Sequence, residues 1–205
     1  MTDPDRQSTF VDVLFALEGR ALPKDYRFLL MREIGRHLPW FESDDSVGMH
    51  PIKASKTDYG VVLLPRRAKL ILRIPRTRVT EVRALIGAVL DITGHTLSVG
   101  EFTVRPIQPF GTLYAYFVVD ESGDELTFIR RIEAQLDALS VPCSVICGQR
   151  GALQVGTRAL EGYSLMLHGL AAPHSVRLQE IGLGSDRNLG CGMFVPHKSV
   201  VAVGF

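Results

Sequence analysis

"DELTFIRRIEAQLDALSV" occupies positions 124–141, and its reading decides how the second half of the chain is built. Leu126, Ile129, Ile132, Leu136 and Leu139 recur at intervals of three and four residues, the period of one face of an α-helix. Strand-like runs surround it: TLYAYFVVD (112–120) before, VPCSVICG (141–148) and ALEGYSLMLHGL (159–170) after. Residues 172–181 read as a second, short helix that stops at Gly182, as helices often stop at glycine. GMFVP and VVAVGF beyond it are strand-like again. The order is strand–helix–strand–strand–helix–strand.

The first half reads in the same order. FVDVLFALE (10–18) is a strand with Val11, Val13, Phe15 and Leu17 on one face. A helix opened by Pro23, a residue suited to a first helical turn, carries Tyr26, Leu29, Leu30, Ile34 and Leu38 as its stripe. VVLL (61–64) and KLILRI (69–74) are strands around a basic turn. RVTEVRALIGAVL (78–90) reads as a helix through Val79, Val82, Leu85 and Ile86, and TLSVGEFTVRPI (96–107) returns to strand. The expected class is α+β: two tandem ferredoxin-like (RRM-like, βαββαβ) domains with a C-terminal glycine-rich loop. Residues 1–107 form one domain and 108–205 the other, with the division near Pro106–Pro109.

The 205 residues, 46% hydrophobic and 22% charged, fit one large or two small globular domains. No uncharged apolar stretch of about 18 residues is present, so no membrane span is expected. The polar start MTDPDRQSTF has no apolar core of a secretory signal, so a cytoplasmic protein is expected. Net charge is only +1, but Lys53, Lys56, Arg66, Arg67, Lys69, Arg73, Arg76, Arg78 and Arg83 are opposed over their span by Asp58 and Glu81 alone. Such a segment is either a phosphate-facing surface or a solvated face balanced elsewhere. Cys143, Cys147 and Cys191 lack metal-site spacing and read as buried thiols. No cluster of metal ligands stands out, and no cofactor is expected.

GLGSDRNLGCGMF (182–194) holds Gly182, Gly184, Gly190 and Gly192 in the pattern GxG-x5-GxG. It follows a helix and leads into a strand, the reverse of a dinucleotide fingerprint, and the chain contains no GxxxxGK[ST]. Two readings stay open: a loop whose amides approach a phosphate backbone, or a turn packed against a neighbouring strand.

These residues resemble the signature of the CRISPR repeat-processing endoribonucleases, the Cas-six family: glycine–hydrophobic–glycine, five residues, glycine–hydrophobic–glycine near the C-terminus. RLQEIGLG (177–184), GCGMFVP (190–196), LPW (38–40) and VGMHPI (47–52) are similar to the subgroup labelled Cmx-six. The family's spacer is often strongly basic, whereas SDRNL sets Asp186 beside a single Arg187, which shifts the expected grip from charge to backbone amides.

The resemblance implies cleavage of precursor CRISPR RNA within each repeat, without metal, by attack of a ribose 2′-OH on the adjacent phosphate. Such chemistry needs a base, an acid and a stabiliser of the phosphorane charge. It also implies a catalytic histidine in or just after the first helix. His50 in VGMHPI and His37 in GRHLPW both qualify, with Lys53 as a phosphate stabiliser. RNA-binding positions are expected at Lys56, Arg66, Arg67, Lys69, Arg73, Arg130, Arg131, Arg177 and Arg187, and at Gly182, Gly184, Gly190 and Gly192. The implied partners are precursor and mature CRISPR RNA and the subunits of an interference complex. The rival reading is a repeat-binding subunit that does not cut; a third is a ferredoxin-like module for protein or small ligands.

Overall fold

The computed structural model describes residues 8–56 and 60–197. Among them, no helix is long and apolar enough to cross a membrane. The expected strand at VVAVGF lies outside the described residues.

In the second half, β9 (Thr112–Val119), α3 (Glu125–Ala138), β10 (Ser144–Val155), β11 (Arg158–His168), α4 (Ala172–Ile181) and β12 (Phe194–Pro196) follow the expected order. Their antiparallel sheet runs β10-β11-β9-β12, the ferredoxin-like arrangement. Asp124 starts α3 by accepting the Thr127 amide at 2.8 Å, a side-chain cap for an otherwise unpaired helical N–H. The helix buries Phe128, Ile132 and Leu136, one face at i, i+4 and i+8, against Leu165, Leu167 and Phe194. Leu126, placed on the buried stripe from the sequence, is instead 65% exposed: the apolar face is centred on Phe128, and Leu126 lies off it in the first turn.

In the first half, β1 (Phe10–Glu18) is the middle strand of a five-stranded sheet. Its flanks are β6 (Lys69–Pro75) with β3 (Gly48–Met49) on one side, and β8 (His95–Pro106) with β7 (Val89–Ile92) on the other. The helix α1 (Tyr26–His37) buries Tyr26, Leu30 and Ile34 in the core formed with Val11, Val13, Phe15, Leu70 and Leu72. A short α2 (Trp40–Ser43) follows it.

Three expectations for this half are corrected. Pro23 does not open α1; it ends β2 (Ala21–Pro23), which pairs with β5 (Val61–Leu63) because that register buries Leu22. The strand expected at 61–64 therefore leaves the main sheet for a small one with β2 and β4 (Ser55–Lys56), and β3 takes the place beside β6. The helix expected over 78–90 is two 3-10 turns, Arg76–Arg78 and Glu81–Leu85. Val82 and Leu85 are buried as the periodicity required. Beyond them Gly87 donates its amide to the Val99 carbonyl and Ala88 accepts from the Val99 amide, so sheet pairing captures the backbone before an α-helix closes. β-branched Val79, Thr80 and Val82 weaken the helical alternative.

The chain passes from the first sheet to the second between Pro106 and Thr112. The larger core nevertheless includes Phe117, Val119, Leu153, Val155 and Leu160 from the second sheet, and Leu189 and Cys191 from the glycine loop. A register shift in the β9–β11 pairing lets Val118 join the second core while Phe117 and Val119 join the first. The two halves thus share apolar packing.

Candidate functional site

The two strings that carry the family resemblance, 47–52 and 182–194, lie against each other. A Cβ on Gly190 would stand 2.7 Å from the Met49 carbonyl oxygen and 3.4 Å from Pro51. Gly48 lies under the Met193 thioether. Asn188 donates to the Glu42 carbonyl at 3.1 Å. The glycines therefore admit close approach, but to this chain's own backbone. The amides of Gly182, Gly190 and Gly192 donate to the Leu178, Arg187 and Phe117 carbonyls, so these three positions do not offer free N–H groups to a phosphate, as the sequence reading expected. Gly184 alone of the four is exposed; with Ser185, Arg131 and Gln135 it lines a cavity of ≈ 280 Å³.

Gly192 has φ +62°, and a Cβ there would collide with the Leu183 carbonyl. Gly192→Ala is expected to lower stability by at least ~2 kcal/mol, combining left-handed strain with a backbone clash. Gly94→Ala, with φ +82° but open space around it, is expected to cost only the strain, about 1 kcal/mol. Chemical denaturation of both variants checks this; equal losses would remove the steric part of the argument.

Beneath the glycine loop lies a buried polar cluster. Asp12 is on β1, where its neighbours Val11 and Val13 face the core and it faces the other way. Arg73 stands directly opposite it on β6, and Arg105 opposite it on β8. Arg73 is 1% exposed. Its Nε donates to Asp12 Oδ1 at 2.8 Å and its Nη2 to Oδ2 at 3.1 Å. Its Nη1 donates to the Gln179 and Phe194 carbonyls at 3.0 and 2.9 Å. One guanidinium thus joins the first sheet to α4 and β12. His50 Nε2 lies 3.3 Å from Asp12 Oδ1, and the imidazole is buried, its backbone amide bonded to the Ile71 carbonyl.

This placement corrects two expectations. His50, a catalytic candidate from the sequence, does not face solvent, because pairing of Gly48–Met49 with β6 sets its ring against Asp12. Arg73 is not an RNA contact, because every part of its guanidinium is committed inside the fold. Asp12 is not among the residues expected from the sequence; its signal there is an acid inside β1, flanked on both sides by apolar residues.

Burial lowers the His50 pKa below its ordinary 6.5, and the Arg73 charge adds to this against the opposing hydrogen bond with Asp12. Burial alone would raise the Asp12 pKa, but hydrogen bonds and charge from His50 and Arg73 outweigh it and hold the carboxyl far below 3.8. Both shifts act in one direction. Below about 6.5 the unfolded chain binds a proton at His50 that the folded chain refuses, and below about 3.8 the same holds for Asp12. Stability is full above those values and falls on acidification. The unfolding midpoint is expected to drop between about pH 7.5 and about pH 5, and His50→Asn to flatten that drop; a midpoint flat across this range in the wild type would contradict the assignment.

Arg187 is also buried, and its Nε and Nη2 have no hydrogen-bond partner among the described residues. Burial, then the Arg73 charge, pushes its pKa down to about 10, with Asp44 opposing. It still carries its charge at neutral pH, inside the fold rather than on the surface expected for it. Tyr26, buried at the start of α1, accepts the Ile52 amide at 2.7 Å and fixes the segment leading to Lys53.

His37 is exposed in the last turn of α1 beside Arg36 and makes no hydrogen bond among the described residues. Lys53 is exposed just past the buried string. Arg66 and Arg67 are exposed in the turn between β5 and β6, Lys69 is exposed at the start of β6, and Arg130 is exposed on α3. Arg131 is tied to the buried Asp120 carboxylate and the Val119 carbonyl, and Arg177 donates to the Leu139 carbonyl at 3.0 Å. The Lys56 side chain lies outside the described residues.

Residues 11–199 match the family model described as Cas6 Crispr. The chain is 33% identical over 188 residues to a CRISPR-associated endonuclease Cas6 of Myxococcus xanthus (strain DK1622), covering 91% of this chain and 81% of that protein. A solved structure described as CRISPR associated protein Cas6 is similar with a TM-score of 0.68 at 9% identity, covering 92% of this chain and 100% of that one. A second, described as a RAMP protein binding different RNA substrates, is similar with a TM-score of 0.64 at 13% identity, covering 90% and 98%. At these identities the structures speak to the fold.

Proposed function

The chain belongs to the Cas6 family, and from that premise we propose that it is an endoribonuclease that cuts precursor CRISPR RNA within its repeats, in the cytoplasm and without a metal ion. The observation that carries the proposal is the match of nearly the whole chain to a relative named as an endonuclease. The reaction is attack of a ribose 2′-OH on the neighbouring phosphorus. The new P–O bond forms as the bond to the 5′-oxygen breaks, leaving a 2′,3′-cyclic phosphate and a 5′-OH. Its requirements are a base for the 2′-OH proton, an acid for the leaving oxygen and positive charge on the phosphorane. In this reading side chains fill these roles.

Access favours His37 over His50. A group that moves a substrate proton must come within hydrogen-bond reach of it. The His50 ring is buried against Asp12, whereas His37 is exposed with both ring nitrogens free of described partners. We assign His37 as the proton-transfer residue and Lys53 as the cation at the scissile phosphate. Arg66, Arg67, Lys69 and Arg130, all exposed and without a described ion pair, hold the phosphate backbone, and such contacts set affinity more than sequence preference. His50 is a positioning residue of the buried cluster. The processed RNA then stays with the protein and joins it to the subunits of an interference complex.

The test is incubation of the purified chain, with EDTA, with the repeat RNA of its own array. One cut bearing a cyclic phosphate is the expected result. Tight binding with no cut overturns the nuclease reading in favour of a repeat-binding subunit.

A further inference from the structure

Away from the end that packs on the first core, the outer face of the second sheet is uncovered among the described residues and has an unusual composition. Strand side chains alternate between faces. Leu113 and Ala115 of β9 point into the second core, so Tyr114 and Tyr116 point out. Tyr116 is 54% exposed and Ile146 on β10 is 53% exposed. The two tyrosine rings stand edge to face, centroids 5.0 Å apart at 86°. The His197 ring approaches Tyr114 at 5.6 Å. Register places Met166 of β11 beside Tyr114 and Ile146 beside Met166. His168, opposite Thr112, is held by a 2.8 Å hydrogen bond to its hydroxyl. The result is a patch of π and apolar surface across β9, β11 and β10.

We propose that this face, centred on Tyr114 and Tyr116, is a second RNA-binding site that stacks unpaired bases flanking the cut. The proposal rests on the nuclease reading for its ligand and adds a site that the cleavage chemistry does not use. Two observations favour nucleic acid over a protein occupant. The first is position: the tyrosines lie on the first strand of a βαββαβ sheet with β11, the third strand, beside them. Sheets of this order stack two or three bases on aromatics of those strands. The second is charge. Segments 112–116, 144–148, 164–168 and 195–197 contain no acidic residue on either face. An aromatic surface free of carboxylates suits a polyanion carrying exposed bases.

The experiment measures binding of a short fluorescein-labelled oligouridylate to the full chain by anisotropy, over a range of salt. Tyr116→Ala and Tyr114→Ala are expected to weaken binding about five- to a hundredfold, as loss of one stacked base does. Tyr116→Phe, which keeps the ring, is expected to bind within about twofold of wild type. The salt slope should stay unchanged, because no phosphate contact is removed. Crosslinking of 4-thiouridine in the same oligomer should fall on Tyr114 or Tyr116. Wild-type affinity in both alanine variants overturns the proposal. So does a change from dimer to monomer in those variants with RNA binding intact, which would make the face an interface between copies. Failure of the wild type to cut its repeat would sink the nuclease reading but leave the oligouridylate result standing. Normal cutting with no effect of either tyrosine would sink the stacking site alone.

Discussion

His37→Ala is expected to reduce the single-turnover cleavage rate of the repeat by about 10²–10⁴-fold, the usual worth of a positioned proton-transfer group. Repeat affinity and unfolding midpoint should stay near wild type. The side chain is exposed, touches no described partner, and ends a helix whose buried residues are Tyr26, Leu30, Met31, Ile34 and Gly35. Removing it leaves no cavity and no unpaired group. His50→Ala should behave in the opposite way, lowering stability first, with any loss of cleavage following the folded fraction, because its ring sits on Asp12 inside the sheet. Cleavage that survives His37→Ala at the wild-type rate, while a folded His50→Ala protein fails to cut, would reverse the two roles.

Asp12→Ala is expected to cost ~3–5 kcal/mol, the loss typical when one partner of a buried ion pair is removed. Among the described residues Asp12 is the single carboxylate bonded to Arg73, His50 and Arg105, and Arg187 adds a further buried charge close to Arg73. Without Asp12 the buried Arg73 and Arg187 charges face one another with no carboxylate on Arg73. Arg73→Met should also destabilise strongly, because it releases the Gln179 and Phe194 carbonyls from their donor. The double variant should lose less than the sum, with a coupling of about 1 kcal/mol or more, since neither charge is then left alone. Urea denaturation of the four proteins reads this directly, and strict additivity would show that the pair does not act as a unit.

The second half was legible because its local and tertiary signals agree. The α3 period, the Asp124 cap, the α4 stop at Gly182 and the four strands all point to one arrangement, and the sheet order follows. In the first half they compete. Pro23 suits a helix start, yet burial of Leu22 against β5 makes it a strand end. Residues 78–90 have a helical period, yet pairing with β8 claims their backbone from Gly87 onward. A pattern of apolar spacing records which residues are buried, and Val82 and Leu85 are; it does not record which backbone partner wins.

The site divides in the same way. Sequence by itself determined the family, because GxG-x5-GxG and VGMHPI are local strings whose residue types are constrained by close packing. It also determined the candidate groups, since histidine, lysine and arginine carry their chemistry wherever they lie. Only the tertiary structure decided which of them meet solvent. Whether His50 faces RNA or a buried carboxylate depends on the two-residue strand Gly48–Met49 pairing with β6 and on Asp12 standing opposite Arg73, contacts that join positions far apart in the chain. In the sequence the glycines admit two readings, room for a phosphate or a turn packed on a neighbouring strand. Tertiary packing fills that room with the chain's own carbonyls, because the loop must pass between the Met49 backbone and the Phe117 carbonyl to bring Phe194 into the second core.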